Sequence, residues 1–216
     1  DVNTPKADDP QSANWWQNRP KYMVSLLKAW WGGHATKDNE FAYHYLPKRA
    51  ARDYSHIALF EAMAKGEIQG LTLLGQNPAV GGPNSNLERG ALAKLKWMVA
   101  VDMWETETAA FWRRPEANPA DIQTEVFMLP AASSVEKEGS VSNSGRWAQW
   151  RYQAVHPPGD AKSDLWILTK LHQKLRALYE AEGGAFREPI VNLAWNVGTG
   201  DEPDASLVAR EINGYF

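Results

Sequence analysis

Glu125-Val-Phe-Met-Leu-Pro-Ala-Ala-Ser-Ser-Val-Glu-Lys-Glu-Gly-Ser-Val-Ser-Asn-Ser-Gly-Arg146 is a short apolar strand running into a long polar turn of glycine, serine and fixed charge. A core has no use for such a turn, whereas a binding site at the end of a strand does. Two upstream runs, 68–74 and 97–101, repeat the apolar half of this pattern. With 125–129 they give strand starts near positions 70, 97 and 125, a spacing of about 27 residues that matches βαβ units. Crossovers of that length imply parallel neighbours. The expected class is α/β: a Rossmann-like parallel sheet with flanking helices and discontinuous helical additions at both ends.

The connecting segments read as helices. Asn84 to Asn86 supply caps for a helix over 86–96, with Leu87, Leu92 and Leu95 apolar. A short helix is expected over 105–112, stopped by Arg113-Arg114-Pro115. Upstream, Ser55 caps a helix through Lys65 with Ile57, Phe60 and Met63 on one stripe, and Gly66 ends it. Residues 1–19 read as an extended polar arm, and Pro20 opens a helix that Gly32-Gly33 stops after Trp31. Downstream of the breaker Pro157-Pro158-Gly159, Ser163 or Asp164 caps a long helix to about Glu182. Leu165, Leu168, Leu171, Leu175, Leu178 and Tyr179 form its apolar stripe. The last thirty or so residues hold an apolar patch at 190–195, a Gly/Asp turn and a final helix over 204–213. Three regions follow: an arm and helix (1–54), the α/β core (55–155) and a helical segment (156–216).

Composition excludes several classes. The net charge of −3 over 216 residues lacks the basic excess of a nucleic-acid binder. No apolar run approaches the roughly 20 residues that cross a bilayer, so direct membrane insertion is not expected. There are no cysteines, which removes disulfides, zinc–thiolate sites, iron–sulfur ligation and Cys nucleophiles from this stretch. The sequence starts at Asp1 rather than Met, as a processed product or a piece of a longer chain does. Tryptophan is abundant at 11, either as core and interface anchors or as a stacking platform for sugars or bases.

In an open parallel sheet, ligands sit beyond the carboxyl ends of the strands, and three loops converge there. Gly75-Gln-Asn-Pro-Ala-Val-Gly-Gly-Pro-Asn84 has glycines for close backbone approach and Asn77 for hydrogen bonding. The helix after it aims amides at the loop, which suits phosphate. The loop matches neither GxGxxG nor the P-loop pattern, and a plain βα turn is the other reading. Asp102-Met-Trp-Glu-Thr-Glu-Thr108 puts an acid where a ribose hydroxyl is gripped, with Thr106 or Thr108 for phosphate or for capping. In the third loop Glu136, Lys137 and Glu138 read as a solvated charge run, whereas Asn143 and Arg146 reach ligand atoms or pin the loop. The five histidines show no metal-binding spacing with carboxylates, and no catalytic triad or carboxylate dyad is present.

These residues carry a resemblance. Asn14-Trp-Trp-Gln-Asn-Arg-Pro-Lys-Tyr22, Gly75-Gln-Asn-Pro78 with Gly81-Gly-Pro-Asn84, and Val101-Asp-Met-Trp-Glu-Thr-Glu-Thr108 are three of its runs. Leu129-Pro-Ala-Ala, Glu136-Lys-Glu-Gly through Gly145-Arg-Trp, Gly200-Asp-Glu-Pro-Asp and Glu211-Ile-Asn-Gly214 complete it. In order and spacing the chain resembles the large catalytic subunit of formate dehydrogenases in the molybdopterin oxidoreductase family, most closely the membrane-associated or periplasmic respiratory type. The resemblance covers essentially the whole chain and implies a fragment of such a subunit containing its Rossmann-like domain.

The resemblance implies a bis-molybdopterin guanine dinucleotide cofactor carrying molybdenum or tungsten, one dinucleotide of which this domain would hold. By motif, Gly75, Gln76 and Asn77 would face the dinucleotide and Gly82 would lie in the phosphate-side loop. Asp102 and Thr106 would lie by the guanosine end, with Arg146 nearby. Glu125 falls on a family acidic position but opens its strand, at the wrong edge for this site. The metal ligand, the catalytic His and Arg, and the iron–sulfur cysteines of the family belong to portions absent here, so no catalytic or metal-ligating residue is assigned. The implied activity of the complete enzyme is oxidation of formate to CO2 in anaerobic respiration. The implied partners are the remaining segments of the subunit and an iron–sulfur electron-transfer subunit, in the periplasm. Two alternatives stand beside it: a non-enzymatic Trp-rich binding module, and a piece of another molybdopterin oxidoreductase such as a nitrate or sulfur-compound reductase.

Overall fold

The computed structural model describes residues 15–48, 51–145 and 147–213. They fall into two compact units, one formed by the chain up to residue 49 together with 168–216, the other by 50–167.

The second unit holds a parallel sheet of three strands, β1 (Gly70–Leu74), β2 (Trp97–Asp102) and β3 (Glu125–Pro130), in the spatial order β1-β2-β3. Register pairs Leu74 with Val101 and Val101 with Leu129, so all three strands end on one rim. Between β1 and β2 lie a helical turn, α3 (Pro78–Gly81), and a short helix, α4 (Ser85–Leu92). Asn84 caps α4 by accepting from Leu87 N at 3.1 Å. The helix stops four residues earlier than its apolar pattern predicts, because Lys94 N and Leu95 N turn back onto the carbonyls of Ala91 and Leu92 and deliver the chain into β2. Before β1, α2 (His56–Ala64) starts on the Ser55 hydroxyl, which accepts from Ala58 N, and gives way to Gly66 at φ +77°.

Strand alternation sorts the sheet into two faces. Leu71, Leu73, Met98 and Val126 join Phe60, Met63, Ala91, Leu92, Leu95 and Phe111 in one core under α2 and α4. On the other face Leu74, Trp97, Phe127 and Leu129 are exposed, although parallel sheets are ordinarily covered on both sides. Trp97 lies flat across its register partner: a Cβ at Gly70 would sit 2.1 Å from the indole Cζ2.

Two expectations change here. The short helix over 105–112 is a turn followed by a single 3-10 segment, Phe111–Arg113, since the loop's polar groups are engaged elsewhere, as described below. The long turn after β3 is a hairpin, in which β4 (Gly139–Ser142) and β5 (Ala148–Arg151) pair antiparallel. Chain 131–162 also returns to the sheet, where Lys162 N donates to Pro130 O and Ala132 N to Lys162 O.

The first unit is helical. α1 (Trp15–Trp31) carries Pro20 inside it, where sequence placed Pro20 at its start. The missing N–H therefore removes one rung of the helical ladder. Residues 15–19 of the expected extended arm are helical, and residues 1–14 lie outside the described residues. Leu27, Trp31, Ala35 and Ala42 form a small core. α5 (Asp164–Glu182) starts where expected, with Ser163 Oγ accepting from Trp166 N, and ends at Gly183 and Gly184, both at positive φ. α6 (Glu188–Val191) and α7 (Ala205–Asn213) follow. The apolar stripe of α5 does not enter a core. Its residues Thr169 and His172 are the buried ones: Trp195 Nε1 donates to Thr169 Oγ1 and the Trp195 ring stacks on His172 at 5.0 Å. Burial, and secondly Arg176, hold His172 below the ordinary histidine range.

Candidate functional site

Three loops leave the carboxyl rim of the sheet. The first begins with Gly75 at φ +62°, a conformation that favours glycine. Its N–H donates to Val101 O of the central strand, which fixes where the loop departs. Gln76, Asn77 and Gly82 then line a cleft of about 900 Å³. The opposite walls come from α2 (His56, Ile57, Phe60) and β1 (Leu71, Thr72, Leu73). That volume lies in the range of small-molecule sites, and so does the mixture of apolar walls with a few polar groups. Beyond Pro83, the last cleft residue, the first turn of α4 carries amides, those of Ser85 and Asn86, that have no partner within a helix.

Asn77 also bonds the second loop. Its Oδ1 accepts from Thr108 N at 3.2 Å and from Thr108 Oγ1 at 2.7 Å. Its Nδ2 donates to Glu107 Oε2 at 2.8 Å. Thr108 Oγ1 in turn accepts from Ala79 N at 3.0 Å, and Thr108 is fully buried. One side chain thus latches the loop after β1 to the loop after β2. The bond to Asn77 comes first, and a backbone bond second, in holding the Glu107 carboxyl below its ordinary range.

Gly82 lies against the inner helix, α4. A Cβ there would lie about 2 Å from both carboxylate oxygens of Glu88. Glycine is needed because this carboxylate lies against the loop. Glu88 is buried on α4, and its Oε1 meets His56 Nε2 at 3.0 Å. Arg89 Nε donates to Ala79 O from the same helix. The loop is therefore held from its inner side by α4 and laterally by Thr108.

In the second loop Asp102 is half-buried at the rim and accepts from Met103 N at 2.7 Å. Thr106 is half-buried, and its carbonyl accepts from Ala110 N. Neither lines the cleft with Gln76 and Asn77; they lie on the neighbouring strand's end. Trp104, between them, is exposed. Arg146 lies outside the described residues.

In the third loop the charge run is pinned as well as partly solvated. Glu136 Oε2 accepts from Ser133 N, Lys137 pairs with Asp164, and Glu138 Oε1 accepts from Trp150 Nε1. Asn143 Oδ1 accepts from Gly145 N at the hairpin tip, so it holds the turn. His56 is among the cleft residues that sequence reading left unassigned. Its signal was the Ser55 cap, which sets the first turn of α2 beside the strand. Among the described residues no group of three His, Cys, Asp or Glu is arranged to hold a metal ion.

Residues 48–174 match the family model described as molybdopterin oxidoreductase. The chain is 46% identical over its whole length to formate dehydrogenase 2 subunit alpha (cytochrome c-553) of Nitratidesulfovibrio vulgaris, of which it covers 21%. It is 41% identical to the major subunit of the nitrate-inducible formate dehydrogenase of Escherichia coli, covering 22% of it. Over 130 residues, 60% of this chain and 16% of the relative, it is 35% identical to the assimilatory nitrate reductase catalytic subunit of Bacillus subtilis. The chain thus spans about a fifth of the length of the formate dehydrogenase relatives.

Proposed function

The chain belongs to the molybdopterin oxidoreductase family, and from that premise we propose that it is the cofactor-binding portion of a formate dehydrogenase catalytic subunit. Identity over the whole chain to formate dehydrogenase subunits, against partial coverage of the nitrate reductase, favours formate. In this reading the sheet is the Rossmann-like half that holds one guanine dinucleotide of a bis-molybdopterin cofactor with molybdenum or tungsten. The observation that carries it is the meeting of the loops after β1, β2 and β3 on one rim, the place where α/β sheets bind nucleotides.

The residues present fit such a group. Apolar walls from Ile57, Phe60, Leu71 and Leu73 suit a flat ring, and the Gln76 amide supplies both a donor and an acceptor. The amides at the start of α4 suit phosphate oxygens, and Asp102 at the rim suits a hydroxyl. Asn77, which lines the cleft, also fixes the loop through Thr108, and Gly75 sets its exit. Thr106 and Arg146 are assigned to the guanosine side on the resemblance. When bound, the cofactor supplies the redox centre at which formate is oxidised to CO2. Within this chain the residues bind and orient the dinucleotide. The metal ligands and the iron–sulfur cluster belong to other parts of the polypeptide, and the electrons leave through an iron–sulfur subunit in the periplasm. No helix among the described residues is long and apolar enough to cross a membrane.

The test is Asp102→Ala in the complete enzyme, with metal and guanine nucleotide quantified in the purified protein. Loss of both relative to the parent is expected. Parental content of both would remove Asp102 from the site.

A further inference from the structure

α5 is turned against the usual sense of an amphipathic helix. The side of the helix that packs on the chain's own 193–195 segment is polar: Thr169 and His172 meet Trp195, and Arg176 Nη1 donates to Leu193 O at 3.4 Å. Its leucines point elsewhere. Leu168, Leu171, Leu175 and Leu178 are 39%, 51%, 38% and 40% exposed. Their spacings of three, four and three residues are those of the a and d positions of a heptad, so the four form one straight seam. A single exposed leucine means nothing, but a buried polar face and an exposed leucine seam on one helix are informative together.

We propose that this seam is the docking face for a helix supplied by the part of the longer polypeptide that lies outside residues 1–216. The inference rests on the cofactor-binding reading for the source of that helix. In the formate dehydrogenase relatives about four-fifths of the polypeptide lies outside the matched stretch, since this chain covers 21% and 22% of them. The charges bordering the seam argue against a second copy of this chain. Positions flanking a heptad seam set partner choice, and here they are Ile167, His172, Lys174, Tyr179 and Ala181. None is a carboxylate, so a symmetric pair of α5 helices offers Lys174 no counter-charge. The partner that fits carries a Leu- or Ile-rich stripe with Glu or Asp beside it, opposite Lys174. Its crossing angle is the shallow one of a straight seam, about 20°.

Residues 1–216 hold no cysteine, so each introduced thiol is the single label site within them, and mass spectrometry of its peptide separates it from cysteines elsewhere in the full-length polypeptide. Leu171→Cys, and separately Leu175→Cys, put one thiol on the seam; Gln173→Cys puts one on the opposite side of the same helix. Each is made in the 216-residue chain and in the full-length polypeptide, with circular dichroism confirming the helix. Maleimide labelling of the peptide is followed by mass spectrometry. In the full-length polypeptide the thiols of the Leu171→Cys and Leu175→Cys variants are expected to label at least about tenfold more slowly than in the 216-residue chain, while the thiol of Gln173→Cys labels alike in both. Equal labelling of the seam thiols in both contexts would overturn the proposal. A dimer of the 216-residue chain in sedimentation, dissolved by Leu171→Glu, would overturn it in favour of self-association. Cofactor content, measured on the same preparations, reports separately on the reading beneath it: an exposed seam with parental cofactor sinks the seam alone.

Discussion

The loops after β1 and β2 and the hairpin after β3 leave the same rim but are built on different terms. The first two are held by tertiary bonds between groups far apart in sequence. Asn77 and Thr108, 31 residues apart, share a buried pair of bonds, and Glu88 lies against Gly82 from within. The hairpin is tied down at its base by Lys137 with Asp164 and Glu138 with Trp150, but its tip is held by neighbours: Asn143 Oδ1 accepts from Gly145 N, two residues away. Two loops of the rim are therefore preformed by the core, while the tip of the third depends on its own short contacts. The rim thus has a rigid wall, the first two loops, and an adjustable one, the hairpin tip.

Thr108→Val tests the rigid wall most severely. It removes the hydroxyl that Asn77 and Ala79 share and leaves the Ala79 N–H buried without a partner, at a cost of about 2–3 kcal/mol. The midpoint of urea unfolding is expected to fall accordingly, and the loops after β1 and β2 to lose hydrogen-exchange protection together. Protection lost from one loop only would mean that the latch does not couple them.

Gly82→Ala comes next, at about 1–2 kcal/mol, because its methyl group must displace the Glu88 carboxylate. The double variant Gly82→Ala/Glu88→Ala should cost less than the sum of its parts in a thermodynamic cycle. Strict additivity would show that the two residues do not meet. Asn143→Ala, by contrast, touches only the exposed hairpin tip and is expected to stay within about 0.5 kcal/mol. A larger loss would erase the distinction between the two walls.

Acid gives the smallest effect. The Glu107 carboxyl is held low in the folded chain, so its contribution is present above the ordinary glutamate range and is lost as pH falls through the lowered value. The side chain is exposed, and the change is correspondingly slight. It should show in the Asn77 amide signals by NMR before any unfolding, and Glu107→Gln should abolish that pH dependence.

Much of the frame was legible because it depends on local pattern. Apolar runs located β1, β2 and β3 to within two residues at each end. Ser55, Asn84 and Ser163 each cap the helix they seemed to cap, since an N-cap bond spans only three residues. What could not be read is what depends on distant partners. The apolar pattern from Leu87 to Leu95 could not show that α4 ends at Leu92, because the tight turn into β2 decides it. Nothing in the sequence neighbours of Asn77 reveals its bond to Thr108, and the spacing around Gly82 does not reveal Glu88 against it. The leucines of α5 announced a buried stripe, and the side that is buried was instead settled by Trp195.

The indole of Trp97, spread over Gly70 on the side of the sheet away from α2 and α4, gives the molecule a native optical probe. Its ring faces water as the chain stands, so anything that settles on that surface strips its hydration and shifts its emission to shorter wavelength. A difference spectrum against Trp97→Phe isolates that signal from the other ten indoles, and assembly can be timed without attaching a dye.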